Sequence, residues 1–250
     1  MDLNVPVVYK ILSFIIRILW RNENIIYVNS NKKTFAWDYI DSVTKTKGYK
    51  WLTCESNTKL GYKLYNLHLI KMKKDLYVIL KKSREGNDLV YAGFVSPMFA
   101  VYDGYCIGDA RNITFVDLNS SSSAPYKIDY KKHFIKNEIN KISKESVNVV
   151  FECSNSINGI NADYKYSKRS GDAVSLEYLQ DVYSFTKSVL DSCLNCGVKS
   201  INFYLATKQP VSFVIGTAIQ SYHPSVYVYE LVEGKYVKPL IIQSGKLGDD

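Results

Sequence analysis

Residues 197–242 read GVKSINFYLATKQPVSFVIGTAIQSYHPSVYVYELVEGKYVKPLII, and the pattern of this stretch decides the fold class. INFYLA is typical of a buried strand, and the turn TKQP leads into an apolar segment of helical length, VSFVIGTAIQSY. The apolar runs SVYVYELV and KYVKPLII flank the short turn EGK, which predicts a hairpin. A strand, a helix and a further strand in this order favour parallel pairing through a right-handed crossover.

The segment upstream supplies further elements of the same unit. VNVVFECS, at 147–154, predicts a buried strand, and SNSINGINADYKYSKRSGD, at 154–172, predicts a long polar loop. From Ser175 to Cys196 the apolar and small residues recur at helical spacing, and Gly197 is a natural end for the helix that this spacing predicts. The second half of the chain is therefore expected to be a complete α/β unit.

The first half repeats this order of elements. LYVILKK (76–82) predicts a strand, SREGNDLVYAG (83–93) a loop, SPMFAVYDGYCIG (96–108) a helix and NITFVDLN (112–119) another strand, with earlier strands at IIYV and at 50–54 and 62–70. The polar segment 119–146 is the expected connector. We therefore expect an α/β fold of two Rossmann-like units with mostly parallel sheets, related by pseudo-symmetry. The expected divisions are 1–33 (N-terminal helix and strand), 34–140 (first half) and 141–250 (second half).

The N-terminal segment VPVVYKILSFIIRILW, at 5–20, predicts an amphipathic helix. Lys10, Ser13 and Arg17 fall on one helical face, and the apolar residues occupy the rest. Because these charges interrupt a run that is already short for a membrane span, the favoured interpretation is a helix that docks on protein. Contact with a membrane surface is the weaker alternative. The segment also lacks the cleavage site of a signal peptide.

Composition indicates the compartment and the class of partner. The 250-residue chain has a formal net charge of +8, which favours anionic partners such as nucleotides. Five cysteines in a chain of this length indicate a reducing compartment, so we expect a cytoplasmic protein. Cys193 and Cys196 form a C-x-x-C without a second pair or a histidine cluster, so neither a metal nor another cofactor is expected. The sequence contains no phosphate-binding, dinucleotide-binding, zinc-protease or serine-hydrolase signature, and we assign no catalytic residues.

Two stretches resemble the SAVED family. Residues 197–242 are similar to its closing segment: a strand ending in a polar turn with proline, a helix of the form apolar-x-x-x-G, a V-x-V-Y strand and a last strand opening with an aromatic residue. YAGFVSPMFAVYDGYCIGDARNITFVDLN, at 91–119, resembles the SAVED segment in which a glycine, a turn with proline and a helix precede a strand ending in Asp. The resemblance implies two fused CARF-like Rossmannoid units.

The resemblance also implies a function. SAVED domains are sensors that bind cyclic di-, tri- or tetranucleotides in bacterial anti-phage defence and control an effector. The N-terminal part is too short for such an effector, so we expect it in another protein or outside this sequence, and self-association on ligand binding is a further expectation. Two alternatives stay open: a phosphodiesterase (ring nuclease) that degrades the messenger, and a protein that sequesters it or acts through its N-terminal helix.

A cyclic oligonucleotide needs backbone N–H groups and cations for its phosphates, and such groups collect beyond the carboxyl ends of parallel strands. Four loops have that position, and Arg169 lies in a polar loop that can fold over a ligand. The turn before VSFVIG is the strongest candidate, with Thr207 expected to cap the helix, Pro210 in its first turn and Lys208 as the cation. The candidate ligand-binding residues are Lys82, Ser83, Arg84, Ser96, Pro97, Met98, Phe99, Ser154, Asn155, Ser156, Arg169, Thr207, Lys208, Gln209 and Pro210.

Overall fold

The structure is a computed structural model, and it describes residues 25–30, 52–54, 89–109, 113–116, 126–128, 135, 137–171, 174–229, 231–232, 235–236 and 239–242. Several predictions from the sequence lie outside these residues. They are the N-terminal amphipathic helix at 5–20, the strands at 62–70 and 76–82, and the candidate residues Lys82, Ser83 and Arg84.

The first half forms a five-stranded sheet in the order β2-β1-β3-β4-β5. Neighbours from β2 to β4 are parallel, and β5 pairs with β4 antiparallel. The helix α1, Pro97–Ile107, precedes β4 as the sequence predicts, but the strand before it, β3, lies largely in the segment 83–93 that the sequence analysis predicts as a loop. That prediction is wrong because the turn residues fill only 83–88, whereas LVYAGF pairs with β1. The strands are β1 (Ile25–Ser30), β2 (Leu52–Cys54), β3 (Leu89–Phe94), β4 (Ile113–Val116) and β5 (Tyr126–Ile128).

The second half forms another five-stranded sheet, in the order β12-β9-β8-β6-β7. The strands from β9 to β7 are parallel, and β12 returns antiparallel on β9, which confirms the predicted hairpin. The strands are β6 (Ser146–Glu152), β7 (Tyr164–Tyr166), β8 (Ser200–Ala206), β9 (Ser225–Tyr229), β10 (Leu231–Val232), β11 (Lys235–Tyr236) and β12 (Leu240–Ile242). The short pair β10 and β11 is antiparallel.

Two helices belong to this second half. The helix α2, Leu176–Asn195, begins where the Ser175 hydroxyl accepts a hydrogen bond from the Tyr178 backbone N–H at 3.1 Å. It ends at Cys196, and Gly197 follows with φ +70°, the left-handed conformation that favours glycine. The helix α3, Gln209–Ala218, starts two residues before the predicted apolar run and ends four residues before Tyr222.

The predicted polar loop at 154–172 contains the strand β7, which sequence analysis missed. Tyr164 and Tyr166 are buried and Lys165 between them is exposed, the alternation of a half-buried strand. Tyr164 pairs with Val149 and Tyr166 with Phe151 of β6. The alternation spans only three residues amid polar sequence, too short to be recognised as a periodic pattern.

The halves meet where α1 crosses α3, at a glycine from each helix. A Cβ atom built on Gly104 would lie 2.0 Å from the Phe213 carbonyl oxygen, and one built on Gly216 would lie 2.0 Å from that of Val101. The same number of residues separates Gly104 from Gly216 and Val101 from Phe213, so these contacts are reciprocal. This crossing confirms the predicted pseudo-symmetry. Among the described residues, no helix is long and apolar enough to cross a membrane.

Candidate functional site

The N-terminus of α3 lies directly beyond the carboxyl end of β8. Lys208 is its N-cap residue, no side chain caps it, and Pro210 stands in the first turn as predicted. The prediction that Thr207 caps the helix is wrong. Its hydroxyl lies 2.5 Å from the Ser212 hydroxyl, and Pro210 has no N–H to donate to it. Among the described residues, no side chain caps the α3 N-terminus, where the first backbone N–H groups of a helix have no intrahelical partner.

Lys208 and Arg169 bring separate parts of the chain to this end of the sheet. The Lys208 ammonium donates to the Gly171 carbonyl oxygen at 2.6 Å. The Arg169 guanidinium donates to the Ser154 carbonyl oxygen at 2.5 Å and to the Ser156 hydroxyl at 3.1 Å. Four of the predicted residues, Ser154, Ser156, Arg169 and Lys208, are thus gathered at the carboxyl ends of β6 and β8. We call Ser154, Ser156, Arg169, Gly171 and Lys208 the cation cluster.

Backbone hydrogen bonds to the end of β8 fix the segment that follows β6 and contributes Ser154 to the cation cluster. The backbone N–H groups of Cys153 and Ser154 both donate to the Ala206 carbonyl oxygen, at 3.0 and 2.8 Å. Asn155, also a predicted ligand residue, is exposed between the two serines that Arg169 contacts. The backbone after β6 is therefore hydrogen-bonded to the end of β8, while the serine side chains and Asn155 stay near the surface.

Glu152 is a residue of this region that sequence analysis missed. Its carboxylate accepts the Ile157 backbone N–H at 2.8 Å and pairs with the Lys165 ammonium at 3.0 Å. These contacts, the backbone hydrogen bond first, lower the pKa of Glu152 below its ordinary value. A buried strand that ends in a charged residue is the signal that would have identified it.

The first half contributes the N-terminus of α1, where Ser96 is the N-cap residue and Pro97 follows it. The Ser96 hydroxyl does not cap the helix. It is buried and, within the described part of the chain, has no hydrogen-bond partner. Met98 and Phe99 are buried in the hydrophobic core, so their side chains fill the interior. Only their backbone stands at the helix N-terminus.

Gln209 links the two halves. Its side-chain amide donates to the Tyr91 hydroxyl at 3.0 Å, and that hydroxyl donates to the Asp103 carboxylate at 3.1 Å. Burial and the neighbouring Asp103 raise the pKa of Tyr91 well above its ordinary value, so the hydroxyl stays a donor. Gln209 and Pro210 are both buried, which makes Gln209 an interface residue that lies next to the cation cluster.

The described residues contain no group of three or more His, Cys, Asp or Glu side chains that could hold a metal ion. Cys193 is buried and Cys196 stands at the end of α2. Burial raises the pKa of the Cys193 thiol to about 12, so the thiolate that a metal would need is disfavoured.

The sequence matches no family model and no curated protein. Solved structures do resemble it. The Cap4 SAVED/CARF-domain containing receptor of Acinetobacter baumannii with the cyclic trinucleotide 3'3'3'-cAAA superposes with a TM-score of 0.59 at 12% identity, covering 90% of this chain and 53% of the receptor. The same receptor with 2'3'3'-cAAA superposes with a TM-score of 0.59 at 14% identity, covering 90% of this chain and 52% of the receptor.

The Cap4 SAVED/CARF-domain containing receptor of Moraxella osloensis gives a TM-score of 0.58 at 14% identity, covering 90% of this chain and 51% of the receptor. The chain therefore spans about half the length of these receptors. The mixed α/β architecture with two mostly parallel five-stranded sheets agrees with this similarity. This chain has the SAVED/CARF fold.

Proposed function

We propose that this chain is a sensor that binds a cyclic oligonucleotide second messenger in bacterial anti-phage defence and controls an effector without processing the ligand. The fold supports this proposal, because the structures it resembles are of receptors, two of them with cyclic trinucleotides. The cation cluster carries the proposal further, since it combines positive charge and backbone donors at the carboxyl ends of parallel strands.

The chemistry of the cation cluster suits a phosphodiester. Arg169 contacts a carbonyl and a hydroxyl, and the described part of the chain offers it no salt bridge, so no carboxylate neutralises its charge directly. A guanidinium has more N–H donors than these contacts use, so Arg169 can bind phosphate while keeping its present contacts, and the Lys208 ammonium adds a second positive charge. The α3 N-terminus adds its dipole and its uncapped N–H groups.

The test compares two lysines at opposite ends of β8. Lys208→Ala removes a charge-assisted hydrogen bond worth about 1.5 to 3 kcal/mol, so we expect the affinity to fall roughly ten- to a hundredfold. Lys199→Ala is the matched control, because Lys199 precedes the amino end of β8 and, among the described residues, its ammonium pairs with the exposed Glu145 at 2.7 Å. Lys165 is unsuitable as a control, since it pairs with Glu152 next to the cation cluster.

Both variants and the parent chain are titrated by calorimetry with cyclic di-, tri- and tetranucleotides, including 3'3'3'-cAAA. We expect each substitution to change the free energy of unfolding by no more than about 0.5 kcal/mol, as is usual at the surface. Both variants should therefore melt close to the parent's melting temperature. Equal affinities for Lys208→Ala and Lys199→Ala would contradict the site. If no ring of the panel binds, the sensor function itself is wrong, and recovery of linear product after the titration would favour the phosphodiesterase alternative.

A further inference from the structure

The segment that carries Arg169 is held at several points. We call residues 167–171, which follow β7, the strap. The Tyr178 hydroxyl on α2 donates to the Lys168 carbonyl oxygen at 2.6 Å, and the Ser170 backbone N–H donates to the Cys153 carbonyl oxygen at 3.0 Å. Lys208 holds the far end through Gly171. The residues on both sides of Arg169 are therefore fixed, one to α2 and the other to β6.

Tyr178 lies where β7, α2 and the strap meet, and its hydroxyl also interacts with the side chains of Cys153 and Tyr166. It is 6% exposed, and its ring lies edge-on to Tyr166, with centroids 6.0 Å apart. Asp181, one turn further along α2, accepts hydrogen bonds from the Tyr166 hydroxyl at 2.9 Å and the Lys168 ammonium at 3.0 Å. One face of α2 thus contacts the end of β7 and the start of the strap.

We propose that Tyr178 is a positioning residue for Arg169: its hydroxyl, through the Lys168 carbonyl, fixes the strap so that the Arg169 guanidinium meets the ligand already oriented. Preorganisation of this kind raises affinity by reducing the entropy lost on binding. The effect on affinity rests on the proposed function, whereas the effect on the strap itself does not. The two effects can therefore be measured separately.

The matched control is Tyr164. It is also 6% exposed, and its hydroxyl also donates to a backbone carbonyl at 2.6 Å, but that carbonyl belongs to Asn140, away from the strap. Tyr178→Phe and Tyr164→Phe each keep the ring and lose a hydroxyl that donates to a backbone carbonyl, and each hydroxyl also interacts with neighbouring side chains, those of Cys153 and Tyr166 for Tyr178 and that of Ser192 for Tyr164. A difference between these variants therefore reports the position of the bond rather than its general contribution to stability.

The first measurement needs no ligand. Trypsin cleaves after Lys168 and Arg169, and cleavage under native conditions requires the strap to open locally. We expect Tyr178→Phe to speed cleavage at these two bonds by about three- to tenfold, the amount that one lost neutral hydrogen bond allows, while Tyr164→Phe cleaves there as the parent does. Mass spectrometry identifies and times each bond. Cleavage after Lys168 and Arg169 at the same rate in both variants would refute the positioning role.

The second measurement is a double-mutant cycle with the best-binding cyclic oligonucleotide. We expect Tyr178→Phe to weaken binding about three- to tenfold in the parent and to have no further effect when Arg169 is already Ala. A purely structural role predicts the same loss in both backgrounds, and that result would overturn the inference. Absence of ligand binding by the parent would refute the proposed function instead, and the trypsin result would still decide whether Tyr178 fixes the strap.

Discussion

Glu152 lies at the carboxyl end of β6, and its negative charge compensates part of the positive charge of Lys165 and Arg169. Its side chain is 9% exposed, and the Ile157 N–H and the Lys165 ammonium both favour its charged form. Arg169 also acts on it electrostatically, which lowers the pKa of Glu152 further. Glu152 therefore helps to keep the loop after β6 closed while Arg169 stays directed at neutral oxygen atoms.

The depressed pKa of Glu152 predicts a pH dependence of stability. A carboxyl group whose pKa is lower in the folded state stabilises the fold fully above its unfolded pKa, about 4.3, and that contribution is lost as the pH falls through the folded value. We expect Glu152→Gln to lower the free energy of unfolding at pH 7 and to match the parent at the lowest pH at which both still fold. Urea unfolding at several pH values measures this difference, and a difference that grows below pH 4 would contradict it.

Individual side chains were only partly predictable from the sequence. Arg169, Lys208, Ser154 and Ser156 could be named because charged and hydroxyl residues follow predicted strands. The contact of Arg169 with the two serines depends on how Tyr178 and Cys153 hold the strap. Nothing in the sequence around Tyr178 or Cys153 indicates that they contact the strap. Thr207 was misassigned as a cap because its type suits that position, whereas Pro210 removes the N–H that it would need.

The elements that meet at the centre of the molecule are α1 and α3. Their backbones approach so closely that neither Gly104 nor Gly216 has space for a Cβ atom. The sequence predicted both helices and the repeated order of elements, because periodicity and turn residues are local. It did not predict which faces of the helices meet, since a helix with apolar residues on all sides, as α1 and α3 nearly are, gives no direction for its partner.

This crossing predicts the effect of a single methyl group. In an isolated helix Gly→Ala is stabilising by about 1 kcal/mol. In Gly104→Ala, the new Cβ would meet the Phe213 carbonyl oxygen at 2.0 Å and the Thr217 nitrogen at 2.9 Å, both backbone atoms that cannot rotate away. We expect Gly104→Ala to destabilise the chain by about 1 to 3 kcal/mol or more, and Gly216→Ala to do the same by pseudo-symmetry. Thermal unfolding is the measurement, and a raised melting temperature in either variant would show that the helices do not cross there.

At the scale of the whole molecule, the two sheets share one core rather than two. The ring of Tyr91 in the first sheet packs on Phe213 of α3 with centroids 4.0 Å apart, and α1 contacts both β8 and β9. The connector takes part as well, since the backbone N–H groups of Ile135 and Asn137 donate to the Ser184 and Ser188 hydroxyls of α2 at 3.2 and 3.0 Å. Each half alone would expose a helix face and a buried hydrogen-bond network.

The shared core predicts that the halves cannot be separated by cutting the chain. A protease site inserted between Asn140 and Lys141 lies in a stretch without helix or strand, so cleavage there should leave both sheets intact. We expect the two fragments to elute together on gel filtration and to unfold in a single transition, because separation would break the buried Gln209–Tyr91 hydrogen bond and uncover the α1–α3 crossing. Unfolding in two independent transitions would contradict the shared core. Tyr91→Phe sharpens the test: it keeps the ring contact with Phe213 but removes the hydroxyl that accepts the Gln209 hydrogen bond across the interface, so the cut chain should dissociate at lower urea in this variant than in the cut parent.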